Sequence, residues 1–295
     1  MANLKDIRTR IASVKSTQQV TSAMKMVSAA KLRKAQDAII QIRPYADKLN
    51  EILSNVSSNL DSEIENKYAA RKTINRILII AITSNRGLCG GFNSNVVKSV
   101  SELLTTTFPE YYSQGKVDIV AIGKKAVDGF KTKGIKISKN YLELYDNLSF
   151  ATVNEIAQWA MDQYSDGSYD FVELVYNQFK NAAVQNLTIE QFLPVKPAEI
   201  PETKRVRYRS VYIFEPSVQE IAEKIIPQSL RIQFYKAILD SVASEHGARM
   251  TAMHKATDNA AILIKELKLQ YNQARQASIT DEILEIVSGA NALRG

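Results

Sequence analysis

One loop of the sequence combines residue types that could bind a phosphate. Residues 83–93 read Thr-Ser-Asn-Arg-Gly-Leu-Cys-Gly-Gly-Phe-Asn and lie between a predicted strand and a predicted helix. Backbone N–H groups at such a position often bind anions. The loop matches neither common glycine-rich nucleotide motif, however, because it lacks the P-loop lysine and carries Leu88 at its centre. We therefore expect its glycines to form a tight turn and to allow close helix packing.

Other residues with catalytic or metal-binding chemistry are few. His246 and His254 are eight residues apart on one predicted helix, and no H-E-x-x-H metal pattern includes them. Cys89 is the single cysteine, so the chain has no internal disulfide and no C-x-x-C site. A single cysteine fits a reducing compartment. The sequence thus predicts no catalytic residue, no metal site and no cofactor.

The middle of the chain predicts an α/β domain that would position the loop. Apolar runs predict strands at 76–82, 117–122, 171–176 and 187–192, the last two as an antiparallel hairpin, and a final strand at 205–214. Helices are predicted at 93–108, 124–131 and 152–164. This order indicates a Rossmann-like mixed α/β domain over residues 70–208.

The two ends of the chain predict a long antiparallel coiled coil, formed by residues 1–60 and 210–295. An N-terminal heptad seam from Leu4 to Val56 is apolar except at four consecutive positions, which are Gln18, Thr21, Lys25 and Ser28. This gap indicates either a stretch that faces something other than a dry helix pair or a locally wet seam. In the C-terminal helix, Pro227 is predicted to kink or restart the helix.

The two predicted helices have unequal lengths. If both leave the central domain near residues 57 and 216, the numbers of paired residues sum to about 273. Residues beyond about 272 then have no partner in the chain, although Ile279, Ile283, Ile286 and Val287 are apolar. Because a lone helix does not usually expose such a set, we expect another subunit to surround it.

The positive charge is concentrated on the first helix. The net charge is +7, and residues 1–36 hold eight basic side chains and one acidic one, so the remaining charges cancel. Such a helix attracts an acidic partner, which could be nucleic acid, an anionic membrane or acidic protein loops. Few aromatic residues accompany these charges, which disfavours nucleic acid. With no leader pattern and no apolar run of about 18 residues, we expect a soluble, intracellular chain.

Four segments together resemble the gamma subunits of rotary F-type ATP synthases. The resemblance covers nearly the whole chain, and the segments follow the order of that family. It departs at Asn85, where the family more usually has Asp. The segments are residues 24–35 (MKMVSAAKLRKA), 84–93 (SNRGLCGGFN), 244–259 (SEHGARMTAMHKATDN) and 279–290 (ITDEILEIVSGA).

The resemblance implies a non-catalytic central shaft within a complex of alpha, beta, epsilon and c-ring subunits, with one copy per complex. It implies a peripheral position on the cytoplasmic face of the bacterial inner membrane and no nucleotide bound at the catalytic sites. It further implies three groups of site residues. Contacts with the beta subunits are implied for Met24, Lys25, Lys31, Arg33, Lys34, Arg275, Gln276, Thr280 and Glu282. An apolar bearing is implied for Ile279, Ile283, Ile286 and Val287, and a foot near epsilon and the c ring for Tyr212 and Glu215.

Two other functional classes stay open on the residues alone. A nucleic-acid-binding coiled coil would use the basic helix, and a nucleotide-dependent enzyme would use the loop at 84–93. Both explain the apolar C-terminal segment poorly.

Overall fold

The structure is a computed structural model that describes residues 4–59, 67–68, 74–195 and 218–292. The predicted strand at 205–214, together with Tyr212 and Glu215, lies outside these residues. The elements, in chain order, are α1 (Leu4–Asn59), β1 (Ile77–Ile82), α2 (Phe92–Glu102), a π-helical turn (Leu103–Thr107), α3 (Pro109–Ser113), β2 (Val117–Ile122), α4 (Lys124–Thr132), β3 (Lys139–Tyr141), a 3₁₀ turn (Glu143–Tyr145), α5 (Phe150–Ser165), β4 (Phe171–Phe179), β5 (Gln185–Leu193) and α6 (Val218–Ala292).

The chain divides into two compact units. Residues 1–29 and 249–295 form the first, which we call the terminal unit. Residues 30–248 form the second, which we call the central unit.

Five strands of the central unit form one mixed sheet in the order β3-β2-β1-β4-β5. β1 pairs in parallel with β2 and β4, β2 pairs in parallel with β3, and β5 runs antiparallel to β4. The four strands predicted within the described ranges are confirmed as β1, β2, β4 and β5. The predicted antiparallel hairpin is confirmed as the pair β4–β5. The short edge strand β3 was not predicted, because three residues carry too little periodicity to be recognised.

Helices cover both faces of this sheet, which explains why every residue of β1 is buried. Side chains of a strand alternate between the two faces. On one face, Ile77 and Ile79 pack with Val96 of α2. On the other face, Leu78 packs in a cluster that includes Ile156 of α5 and residues of α6. The helices are therefore held to the sheet by two separate apolar layers.

α6 runs without interruption through Pro227. Of the two outcomes predicted at this proline, the restart is therefore wrong, and the kink stays a prediction. A proline inside a helix removes one backbone hydrogen bond. Ile226 and Leu230, on either side of it, are buried in the apolar layer beneath the sheet, and this tertiary packing holds the helix together.

In the terminal unit, α1 and α6 pair in the antiparallel direction. The Oγ1 atoms of Thr21 and Thr257 are 2.9 Å apart, and Arg8 Nη2 donates to Tyr271 Oη at 3.3 Å. The numbers of these pairs sum to about 279, so the predicted sum of 273 is wrong here. The prediction assumed that, counted from residues 57 and 216, each residue of one helix pairs with one residue of the other along the whole length. In the central unit, the hydrogen bond from Gln228 to Tyr45 does match the predicted sum.

We expect Gly123→Ala to destabilise the central unit strongly. Gly123 joins β2 to α4 with a φ of 91°, and a Cβ atom there would lie 2.4 Å from the carbonyl oxygen of Thr83. Gly134 is a matched control, because its φ is also positive, at 69°, and its Cβ would meet no atom within 4 Å. The strain of a left-handed residue costs about 1–2 kcal/mol in Gly134→Ala. Gly123 has a ψ of 145°, in a region that glycine almost alone adopts, so Gly123→Ala adds both a larger backbone strain and the clash. Urea unfolding of the purified chain measures the difference, and equal losses for the two variants would contradict the steric account.

Candidate partner-binding surfaces

The loop at 84–93 is held by its own hydrogen bonds. The backbone N–H of Ser84 donates to Asn93 Oδ1 at 2.9 Å, and the Ser84 hydroxyl donates to the Arg86 carbonyl oxygen at 2.6 Å. Gly90 has a φ of 59°, as a tight turn requires, and Leu88 is exposed. The expected role of the loop in a tight turn is thus confirmed. The expected close packing of a helix against its glycines is wrong at Gly87 and Gly90, because a Cβ atom would meet nothing within 4 Å at Gly90 and only the Lys125 side chain, at 4.0 Å, at Gly87.

Asn85 links this loop to two other segments. Its Oδ1 accepts a hydrogen bond from the backbone N–H of Lys124, at the start of α4, at 2.9 Å. Its Nδ2 donates to the carbonyl oxygen of Leu142 at 2.8 Å. An aspartate could accept the first bond but could not donate the second, so the amide at this position has a structural use in this chain.

The polar gap in the heptad seam lies inside the helix pair of the terminal unit. Thr21 and Ser28 are buried, and their hydroxyls hydrogen-bond to Thr257 and to the Met24 carbonyl oxygen. Lys25 Nζ is 3.5 Å from His254 Nδ1. Of the two alternatives for the gap, these contacts favour a polar seam between the helices. Met24 and Lys25 are half-buried beside it.

Three cationic side chains of α1 face outward in the central unit. Lys31, Arg33 and Lys34 are exposed, whereas Leu32 and Ala35 between and beside them are buried. The helix thus holds its apolar positions in the interior and presents the charges to a partner or to solvent.

Exposed apolar residues on α1 were missed by the sequence reasoning. Val20, Met26 and Val27 are each more than half exposed in the terminal unit. Val20 and Val27 are seven residues apart, so they share one helix face. This spacing was the signal that could have found them, but the heptad count followed only the inner seam.

The last turns of α6 present an apolar stripe. Ile279, Ile283 and Ile286 recur at intervals of four and three residues, so they lie on one face, and Ile286 is 71% exposed. Val287 is exposed beside them. With pairing numbers near 279, Leu4 of α1 stands opposite residue 275, so the described part of α1 has no residue to cover this stripe.

Polar residues surround the stripe on the same segment. Arg275, Gln276, Thr280 and Glu282 are all exposed, and the Thr280 hydroxyl donates to the Gln276 carbonyl oxygen at 2.9 Å. The structure therefore places these four residues and the apolar stripe together on one stretch of helix. We call residues 275–287 the α6 tip.

The described ranges offer no other chemical site of the kinds considered. Within residues 4–59, 67–68, 74–195 and 218–292, no group of three or more His, Cys, Asp or Glu side chains is placed to hold a metal ion. In the same ranges, none of the helices has the length and apolarity that crossing a bilayer requires.

Comparisons with known proteins agree on one family. Residues 3–293 match the family model described as ATP synthase. The ATP synthase gamma chain of Cytophaga hutchinsonii is 51% identical to this chain, and the alignment covers 99% of both chains. The ATP synthase gamma chain of Flavobacterium psychrophilum is 54% identical, and the alignment covers 100% of both chains.

Solved structures show the same fold. A chain from the central stalk and c-ring of the Tetrahymena thermophila mitochondrial ATP synthase is 26% identical, with a TM-score of 0.57 over 80% of this chain and 99% of that one. A chain of the Euglena gracilis mitochondrial ATP synthase has a TM-score of 0.66 over 98% of this chain and 94% of that one. That second likeness, at 21% identity, supports the fold alone. The family model and the two bacterial relatives span the chain from end to end, and the chain therefore belongs to the ATP synthase gamma chain family.

Proposed function

We propose that this chain is the central rotor shaft of a proton-translocating ATP synthase. In this function, proton-driven rotation of the c ring turns the shaft, and the shaft drives ATP synthesis, or is driven by ATP hydrolysis, in the catalytic beta subunits. The observation that carries the proposal is the α6 tip, whose apolar stripe has no cover from the described part of α1. Its family membership supplies the partners that would cover it.

An apolar tip suits a rotating contact. Hydrophobic contact is non-directional, so it does not require one fixed set of pockets or hydrogen-bond partners. A stripe of isoleucines can therefore stay buried in a sleeve at every angle of rotation. The flanking Arg275, Gln276, Thr280 and Glu282 would contribute hydrogen bonds to the beta subunits at particular angles.

The exposed cations of α1 suit a second, electrostatic contact with the beta subunits. Lys31, Arg33 and Lys34 would face acidic loops. Met24 and Lys25, which are half-buried nearer the N-terminus, would add contacts at the edge of the same surface. Exposed ion pairs contribute only about 0–1 kcal/mol each. Such contacts guide an approaching loop without holding the shaft at one position.

The remaining parts of the proposal rest on family membership. The coiled coil would comprise residues 1–60 and 210–295, and residues 70–208 would form the foot, with Tyr212 and Glu215 near epsilon and the c ring. The partners are the alpha, beta, epsilon and c-ring subunits. The complex would hold one copy of the chain on the cytoplasmic face of the bacterial inner membrane.

We expect Ile283→Asp with Ile286→Asp to impair assembly or ATP synthesis, and the matching pair of alanine changes to be milder. Burying each isoleucine stabilises the contact by roughly 1.5–3 kcal/mol. Alanine loses part of this, whereas aspartate also places an unpaired carboxylate in an apolar sleeve. Recovery of the complex and its rate of ATP synthesis measure both effects. Two double variants that both behave like the wild type would show that the tip is not a buried bearing.

Reversal of Lys31, Arg33 and Lys34 to Glu should lower ATP synthesis in the assembled complex, because the acidic loops would then meet like charges. The matched control changes Lys131, Lys133 and Lys136 to Glu, which alters the net charge equally at other exposed positions of the central unit. The loss should be larger at low salt, since salt screens exposed charges. An equal loss in both triple variants would point to net charge rather than to a specific contact.

The chain is proposed to be non-catalytic by itself, so the purified, partner-free protein should show no ATP turnover. The loop at 84–93 lacks the P-loop lysine, and the Ser84 backbone N–H and hydroxyl are already hydrogen-bonded within it. Phosphate release from ATP is the measurement. Turnover that disappears when this loop is changed would support a nucleotide-dependent enzyme instead.

A further inference from the structure

The central unit contains a buried carboxyl group with an oxygen atom that no described residue hydrogen-bonds. Asp240 of α6 is only 1% exposed, and its Oδ1 has no hydrogen-bond partner among the described residues. Most buried polar side chains in proteins have at least one partner. Neither the apolar layers nor the proposed partner contacts account for a carboxyl group at this position.

The neighbours of Asp240 come from four elements. Arg43 of α1 and Lys236 of α6 attract its negative charge, and Glu190 of β5 repels it. Glu190 itself is well satisfied, because its Oε2 accepts from the Tyr176 hydroxyl of β4 at 2.6 Å and its Oε1 accepts from Gln233 Nε2 of α6 at 2.8 Å. We call Asp240, Glu190, Tyr176 and Gln233 the Asp240 cluster.

The Asp240 cluster is the polar part of a longer contact between α6 and the β4–β5 hairpin. On one side of it, the rings of Phe192 and Phe234 meet edge-on with centroids 5.5 Å apart. On the other side, Gly247 lies so close to the hairpin loop that a Cβ atom would stand 3.2 Å from Cα and the carbonyl oxygen of Ala182. α6 is therefore held along the hairpin by apolar and backbone contacts, with the carboxyl groups between them.

Protonation changes the chemistry of this contact. Burial raises the pKa of Asp240 to about 6, with Lys236 and Arg43 opposing the rise and Glu190 adding to it. Burial, followed by Glu190 and Asp240, also raises the pKa of Tyr176, so its hydroxyl keeps its proton and continues to donate. When ionised, Asp240 repels Glu190 in a poorly solvated place. When protonated, it loses that repulsion and gains an O–H donor. It also gives up the attraction of Lys236 and Arg43, but these lie on α6 and α1 and not on the hairpin.

We propose that Asp240 is a proton-sensitive positioning residue that sets how tightly α6 is held against the β4–β5 hairpin. The inference rests on the proposed rotor function, in which this contact would carry torque between the sheet and the long helix. The contact is tight when Asp240 is protonated and looser when it is ionised. The chain would thus respond to the pH of its compartment through a group inside the fold.

The direction of the response follows from linkage. The pKa of Asp240 in the folded protein lies above its ordinary value of 3.8. The favourable contribution of this group is therefore complete below about pH 4 and is lost as the pH rises through about 6. If a local opening returns Asp240 to water, that opening should be about tenfold more frequent at pH 8 than at pH 5.

Hydrogen–deuterium exchange of the assembled complex tests this inference. Peptides covering 185–193 and 226–240 are compared at pH 5 and pH 8 after correction for the intrinsic exchange rate. The wild type should open about tenfold more often at pH 8. Asp240→Asn, which mimics the protonated state, should open equally often at both pH values. Asp166→Asn, at an exposed position after α5, should keep the response of the wild type.

Two results would overturn the inference. One is a wild-type contact whose opening does not change between pH 5 and pH 8, and the other is an unchanged response in Asp240→Asn. If the Asn variant does not assemble, infrared spectra of the wild-type complex, with ¹³C-aspartate in this chain only, decide the matter. A labelled, protonated carboxyl band should titrate near pH 6, and its absence would count against the proposal. A pH-insensitive contact in a complex that assembles and makes ATP would leave the rotor function standing.

Discussion

The function of this chain depends on an unequal pairing of two helices. α1 has no described residue to place beside α6 beyond about residue 275, yet α6 continues to Ala292 and remains apolar on one stripe. Apolar area left in water costs about 25 cal/mol for each Å² that a partner could bury. Binding of a partner at this end would therefore be favourable. Because contact between apolar side chains is non-directional, that binding would not depend on one rotational angle. In the proposed contact, the polar residues on the same stretch of helix would add direction through hydrogen bonds.

The seam between α1 and α6 in the terminal unit is partly polar. Thr21 and Thr257 form a polar contact where a coiled coil would normally hold large aliphatic side chains. Small polar side chains bury less apolar area than leucine at such positions, so they stabilise the helix pair less. In the central unit the balance is the reverse, because two dense apolar layers hold the sheet to its helices. The Asp240 cluster is a polar group of side chains at the place where α6 meets the hairpin.

Much of this architecture could be predicted from the residues. The strands around Ile80 and Val120 were readable because buried parallel strands are continuous apolar runs. β3 could not be read, since its three residues have no distinctive period. The restart at Pro227 was wrong because burial of Ile226 and Leu230 outweighs one lost hydrogen bond. The pairing of Thr21 with Thr257 was missed by about six residues, because a heptad pattern reports which face is buried and not which residue stands opposite.

Some residues of the candidate surfaces could be predicted from the sequence and others could not. Exposure of Ile279, Ile283 and Ile286 follows from helix length, and the structure confirms it. The exposed Val20 and Val27 were missed, because they lie outside the seam that the count followed. Asp240 could not be found at all from sequence, since its environment is made by α1, β4 and β5, which are distant in the chain.

The central proposal is that this chain is a rotor shaft that turns within a ring of catalytic subunits. A bead attached through a cysteine at Lys133, which is exposed, would report the motion of the chain in a single immobilised complex. Cys89 is buried, so the introduced thiol would react preferentially. The account predicts continuous rotation in one direction when ATP is added, and rotation that stops when ATP is withdrawn. A complex that hydrolyses ATP while the bead stays still would contradict it.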